Sequence, residues 1–314
     1  MNNKLAKHKF LNSIGALSIS VFPLTVLSAT GCNNKNEAKE SNEYKLPEKA
    51  FYAQNDYYKA LEGLNGVELY KALIANQHKY ISGIKPYSYL KNIYMDAFKD
   101  LYYENDKSLL DIYSENPKDK DPYNYAFGNF GSSAKTEGTG FNREHLVPQS
   151  WFKKEKLARQ DAHHVWPTDI LVNNKRDNYP FGTVTDSKFT SKNGTKINNS
   201  FAEPINEFKG DIARAYLYFA LTHASRVGLH SQGREVFAFT NDKPLVNKYF
   251  ETYVKWAKDD KISLFDIVRN NEIAKHQGGL RNPFSDYPEL IDLLINPNKK
   301  VFVNKGILKT DIEI

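Results

Sequence analysis

Apolar residues recur along much of this chain at helical rather than alternating spacing. Within residues 51–80, Leu61, Leu64, Val67, Leu69, Leu73 and Ile74 predict two short amphipathic helices broken near Gly66. Further helices are predicted over 87–101, over 211–227, over 244–256 with Leu245, Tyr249, Tyr253 and Trp256 in register, over 263–274 and over 288–295. Strand character is confined to short pieces. Residues 108–114 (SLLDIYS) read as a strand, 184–201 as a hairpin turning at Asn193-Gly194, and 115–140 as a long polar loop. The pattern predicts an α+β fold, mostly helical, in a single domain without internal repeats.

The N-terminus departs from that pattern. Lys4, Lys7 and Lys9 precede an apolar-rich run over 10–28, and Ala29, Thr30 and Gly31 then lead into the only cysteine, Cys32. This order predicts a secretory signal over 1–31. It resembles bacterial lipoprotein signals, which implies that Cys32 is lipidated as the first mature residue, although Ala29 stands where Leu or Val is commoner. An uncleaved anchor is the other reading, and it also leaves the domain outside the membrane. Residues 32–50 are polar and predict a flexible tether, 51–297 the folded domain, and 298–314 a Lys-rich tail. With no second cysteine, disulfides cannot brace the domain.

Composition changes this picture little. An apolar fraction of 40% with 13% aromatics supplies a core. Lys and Arg total 43 against 37 Asp and Glu, and the net charge of +6 falls by three if the leader is removed. That mild basicity permits a polyanionic partner without requiring one.

Candidate chemistry gathers in FNREHLVPQSWF at 141–152 and DAHHVWPTDILVNNKRDN at 161–178. Phosphodiester hydrolysis needs a base for water, a cation beside the phosphoryl and leaving oxygens, and usually a guanidinium on the phosphate. Histidine, carboxylate or amide oxygens, and arginine suit those three tasks, and a hard cation such as Mg²⁺ needs few protein oxygens because it keeps several waters. Pro148 is expected to end a strand, and Thr168 to cap a short helix reaching about Asp177, on which Asn173 shares a face with Asp169 and Asp177. Adjacent strand residues point to opposite faces, so Glu144 and His145 can serve one site only at a bulge or a strand end. Arg143 and Arg176 are both candidate phosphate clamps, or partners of acids such as Asp177, and the residues alone do not choose between them.

These two segments, with EFKGDIARA at 207–215 and RNPFSDYPEL at 281–290, resemble the endonuclease I family of secreted and periplasmic bacterial nucleases. The likeness spans about 51–294. It implies a His-Me finger (ββα-metal) core in which His145 is the general base and Glu144 and Asn173 hold a divalent cation, usually Mg²⁺, with Mn²⁺ or Ca²⁺ as substitutes. It further implies 5′-phosphate products and little sequence preference on DNA, RNA or both. Several relatives carry disulfides that this chain cannot form. His163, His164 and Arg281 are candidates for substrate contact, with a buried structural role the competing and favoured reading for each. No protein partner is implied; the expected partners are nucleic acid as substrate and the membrane through the lipid anchor, with the domain on the outer face or secreted. Two other functions compete with this one. A surface lipoprotein with a dead centre is opposed by the intact Glu144, His145 and Asn173, and a Zn hydrolase using His145, His163 and His164 lacks the helical ligand spacing.

Overall fold

In the computed structural model, which describes residues 44–237, 247–295 and 300–312, helices dominate and strands come in short antiparallel sets. The elements begin with β1 (Ala50–Ala53), α1 (Gly66–Tyr80), α2 (Leu90–Ala97), β2 (Phe141–His145), α3 (Lys156–Gln160), β3 (Val165–Asp169) and α4 (Ile170–Arg176). A small three-stranded sheet follows, β4 (Phe189–Thr190), β5 (Lys196–Ile197) and β6 (Ala202–Glu203). The remainder is α5 (Lys209–Phe219), α6 (Ser231–Val236), α7 (Asn247–Asp259), α8 (Leu264–His276), α9 (Pro283–Asp286), α10 (Leu290–Ile295) and β7 (Ile307–Thr310). Cys32, its leader and Leu245 lie outside the described residues.

The α+β expectation therefore holds, and several local expectations are corrected. Gly66 starts α1 rather than breaking a helix pair, and only a 3-10 turn at Lys59–Leu61 precedes it. The helix expected over 87–101 shrinks to α2, entered by a 3-10 turn at Tyr87–Tyr89 behind Pro86. Residues 108–114 form no strand. Asp111 turns the chain there, its side chain accepting from the Tyr113 N–H at 2.9 Å and its carbonyl from Ser114 and Glu115, so Leu109, Leu110, Ile112 and Tyr113 are buried without strand geometry. The supposed tail belongs to the fold: β7 pairs with β1 from Ala50↔Thr310 to Ala53↔Ile307, and Phe302 is buried. Alternation of apolar and charged residues over so short a segment hides such a strand among lysines.

Helices α5 and α7 pack together, as do α2 and α8, around one apolar cluster that takes in Trp151, Trp166, Tyr113, Tyr216 and Tyr253. These tryptophans and tyrosines are thus core. α8 begins with a capping box in which Ser263 and Asp266 satisfy each other's backbone N–H groups. Asp266 also receives Arg214 of α5 at 2.8 Å and Arg269 at 2.7 Å, while Arg281 makes a bidentate pair with Asp286, both bonds 2.7 Å. The segments 207–215 and 281–290 are accordingly devices that join helices. No described helix is long and apolar enough to cross a membrane.

Candidate active site

The two chemistry-bearing segments meet as a strand, a strand and a helix. β2 and β3 pair in unbroken register from Phe141↔Asp169 to His145↔Val165, so no bulge intervenes, and β2 stops at His145. The strand end is the alternative that survives. Pro167 is accommodated because both strands are edges. The helix that follows is capped by Asp169, whose side chain accepts from the Val172 N–H at 2.9 Å, rather than by Thr168, which is the penultimate residue of β3. A carboxylate one residue closer to the helix serves the free N–H groups better than the hydroxyl of Thr168, whose backbone is still paired with Asn142 in the ladder. Asp177 ends α4 with φ +51°.

Alternation along β2 sends Asn142 and Glu144 to one face and Arg143 and His145 to the other. The first face meets α4. Asn173 donates its Nδ2–H to Asn142 Oδ1 at 2.7 Å, and one turn later Arg176 donates Nη1–H to Glu144 Oε1 at 2.7 Å. Glu144 is 1% exposed, and Tyr113 also donates to Oε1 at 3.2 Å. Burial pushes the Glu144 carboxyl up while Arg176 and Tyr113 act against that rise. With Oε1 doubly bonded, Oε2 is the oxygen without a described hydrogen bond; with the Asn173 amide N–H engaged, its Oδ1 is likewise left as a donor of lone pairs. Two hard oxygen donors on one cleft suit a hard cation.

Arg176 does not serve as the substrate clamp foreseen for it. It is 1% exposed, its Nη1 also bonds the His145 carbonyl at 2.7 Å, its Nη2 bonds the Leu146 carbonyl, and its ring-facing side lies 4.5 Å from the Phe181 centroid. It positions Glu144 and the end of β2, and it pairs with Glu144 rather than with Asp177.

On the other face, Tyr87 forms a platform. The His145 ring lies nearly parallel to it at 6.0 Å, and the guanidinium carbons of Arg143 and Arg159 sit 4.4 and 4.2 Å from its centroid. His145 Nε2 faces the Arg159 carbonyl at 3.2 Å. A carbonyl only accepts, so Nε2 carries the hydrogen and Nδ1 keeps the lone pair. Burial pushes the imidazole down to about 3, with the charges of Arg159, Arg176 and Arg143 adding to that, so the ring is neutral at ordinary pH. Arg143 also rests 4.6 Å from the Phe130 centroid, and among the described residues it has no ion pair and no hydrogen bond to its Nε. Its charge is fixed in place by aromatic rings with its hydrogen-bonding fork still available.

A cleft of about 250 Å³ is lined by Arg143, Glu144, His145, Asn173, Arg176 and Asp177 among others, so the residues foreseen for the site do converge. Larger hollows, of about 590, 680 and 420 Å³, lie elsewhere, against Trp256, against Asn271 and against Tyr249.

His163, His164 and Arg281 stay outside the cleft, and their reading as substrate contacts is corrected. His163 is buried with Nε2 on the Leu280 carbonyl at 2.9 Å, His164 is fully buried with Nε2 on the Ala158 carbonyl at 2.6 Å, and Arg281 is spent on Asp286. Each is thus tied into the fold by at least one such bond, although His164 Nδ1 is buried without a partner, and this is the structural role favoured for them. Missed residues include Asn142, Tyr87 and Arg159. Asn142 was detectable, since it lies two positions before Glu144 on the same strand face. Tyr87 carried no signal, because it arrives from 58 positions away from His145 through tertiary packing alone.

A family model described as Endonuclease I matches residues 66–289 of this chain. An extracellular ribonuclease of Bacillus subtilis (strain 168) is 28% identical over 246 residues, covering 77% of this chain and 79% of its own length. An extracellular ribonuclease of Bacillus amyloliquefaciens is 28% identical over 240 residues, covering 75% of this chain and 76% of its own.

Proposed function

Because this chain belongs to the endonuclease I family, we propose that it is a nuclease, dependent on a divalent metal, that cleaves nucleic acid outside the cell membrane. The observation that carries the reading is the convergence, on one cleft, of the His145 lone pair with the free oxygens of Glu144 and Asn173. RNA is among the substrates, in keeping with the two ribonuclease relatives, and DNA is the other candidate. Sequence preference is slight, since contacts to the backbone carry no base information.

In this mechanism Arg143, braced by Tyr87 and Phe130, takes the scissile phosphate in its fork. His145 accepts a proton from water at Nδ1, while the Arg159 carbonyl fixes the tautomer through Nε2–H. Glu144 and Asn173 are the residues that would hold a cation, Mg²⁺ by the chemistry of their oxygens, and such an ion would supply charge neutralisation at the phosphoryl and leaving 3′ oxygens. Asn142 and Arg176 keep the two oxygen donors aimed, and the products carry 5′-phosphates. The core is thereby read as a His-Me finger, and Cys32 as the lipid anchor that retains the enzyme at the outer face.

The test is digestion of RNA and of plasmid DNA with Mg²⁺, Mn²⁺ or Ca²⁺, each with and without EDTA. Cleavage that stops with EDTA and returns on excess Mg²⁺, leaving ends that a kinase labels only after phosphatase treatment, is expected. Product in both lanes, or in neither, contradicts the proposal.

A further inference from the structure

The loop between α2 and β2 gathers acidic groups that the cleft chemistry does not use. Asp100, Glu104 and Glu115 bring carboxylate oxygens within 4.8 Å of one another. Asp100 and Glu115 are each 1% exposed, and Glu104 lies at the surface. Asp100 is held by its own loop, Oδ1 accepting from the Tyr102 and Tyr103 N–H groups at 3.0 and 3.1 Å and Oδ2 from Asn105 at 3.0 Å. Glu115 is not. Its Oε1 is buried and has no hydrogen-bond partner, no described Lys or Arg pairs with any of the three, and Asp121 adds to the negative field on it.

Like charges this close inside a protein repel strongly, and a buried carboxylate oxygen without a donor is costly. Such an arrangement persists when something positive completes it. The donors are all oxygen, without His or Cys, which selects a hard cation over zinc or copper. They come from an irregular loop with Asn105 and Lys107 at φ +54° and +63°, and one donor is at the surface. That looseness fits the six to eight ligands of variable geometry that Ca²⁺ accepts better than the strict octahedron of Mg²⁺. We propose that Asp100, Glu104 and Glu115 form a calcium site, separate from the catalytic cleft, with water supplying the remaining ligands.

The site would clamp the segment that supports the cleft. Between Asp100 and Glu115 the chain presents Asp111, whose Oδ2 accepts from the Asp169 N–H at 2.8 Å, and Tyr113, whose hydroxyl donates to Glu144 Oε1 at 3.2 Å. Calcium bound at the loop therefore steadies residues that hold the start of α4 and the proposed cation ligand.

The test uses the full chain with Ca²⁺ alone as the probe, read by calorimetric binding, by thermal melting and by tryptic cleavage after Lys107, Lys118 and Lys120. Wild type, Glu104→Gln, Glu115→Gln and the cleft double variant Glu144→Gln/Asn173→Ala are compared. One equivalent of Ca²⁺, beyond any that the cleft takes up, is expected to bind with a Kd of about 0.1–1 mM, raising the melting temperature by several degrees and slowing cleavage in the loop. The cleft variant keeps that response. Glu104→Gln weakens binding at least about tenfold, and Glu115→Gln abolishes the shift while raising the melting temperature of the metal-free protein, because the repulsion is relieved. Loss of the response in the cleft variant, an equal shift of that variant with Mg²⁺, or survival of the response when Glu104→Gln and Glu115→Gln are each added to the cleft variant overturns the assignment. Should Glu115→Gln fail to fold, Glu104→Gln decides the matter, since its side chain makes no described hydrogen bond or ion pair.

Discussion

Two clusters in this molecule are built from the same residue types and do opposite things. In the cleft, Glu144, His145 and Arg143 each keep an atom that no described residue satisfies. Some residues later, Asp161 accepts from His223 at 2.7 Å, Tyr218 at 2.6 Å, Gln277 at 2.8 Å and the His163 N–H at 3.0 Å, so that carboxylate is saturated. Histidines, arginines and acids become structural when the fold fills their hydrogen-bonding capacity, and they become candidates for chemistry when it leaves one atom open toward a cleft. Unfilled capacity, more than residue type or burial, separates the two clusters, since His145 and His163 are both nearly buried.

The sharpest way to break this contrast is to remove one histidine from each cluster. His145→Ala is expected to lower kcat by about 10²–10⁴-fold with little change in melting temperature, whereas His163→Ala should destabilise the protein and leave the turnover of the folded fraction near wild type. Steady-state cleavage with parallel thermal melts decides it; equal activity loss in both variants would erase the distinction. Arg143→Gln comes next, with an expected loss of about 10²-fold or more carried by the phosphate contact. By contrast Arg176→Gln should fail first in stability, because it leaves the Glu144 charge buried without its partner.

On the saturated side, Asp161→Asn is expected to cost about 3 kcal/mol of stability, measured by denaturant melts at neutral pH. Burial works to raise this carboxyl, but the His223 hydrogen bond and the fields of His163 and His223 outweigh it and hold it below the ordinary range. The folded-state value being the lower one, the stabilisation is complete above the unfolded value of about 3.9 and drains away as pH falls below it. Asp161→Asn should therefore flatten the acid side of the stability profile; an unchanged slope below about pH 4 would mean that other carboxylates govern it. The smallest effect is expected from Asn142→Ala, which frees the Asn173 amide to rotate. An increase of about 10-fold in the Mg²⁺ needed for half-maximal cleavage is expected, with the rate at saturating Mg²⁺ little changed.

Much of this is legible in the sequence. Helix periodicity located α5, α7 and α8, and the density of Arg, Glu, His and Asn marked the cleft, because both signals are local. What failed was local in appearance only. Residues 108–114 have the composition of a strand, yet Asp111 binds its own neighbours and turns the chain. β7 looks like a charged tail until β1 supplies the partner that makes it a strand.

Sequence alone determined which side chains were available, that β2 must bulge or end beside His145 for Glu144 to share its cleft, and which helices would enclose the core. It did not decide which arginine is free, which histidine is satisfied, or that Tyr87 lies beneath two guanidinium groups. Those outcomes depend on partners brought from distant positions, and a hydrogen-bond donor is spent or spare only once the whole fold has determined what stands within 3 Å or so of it.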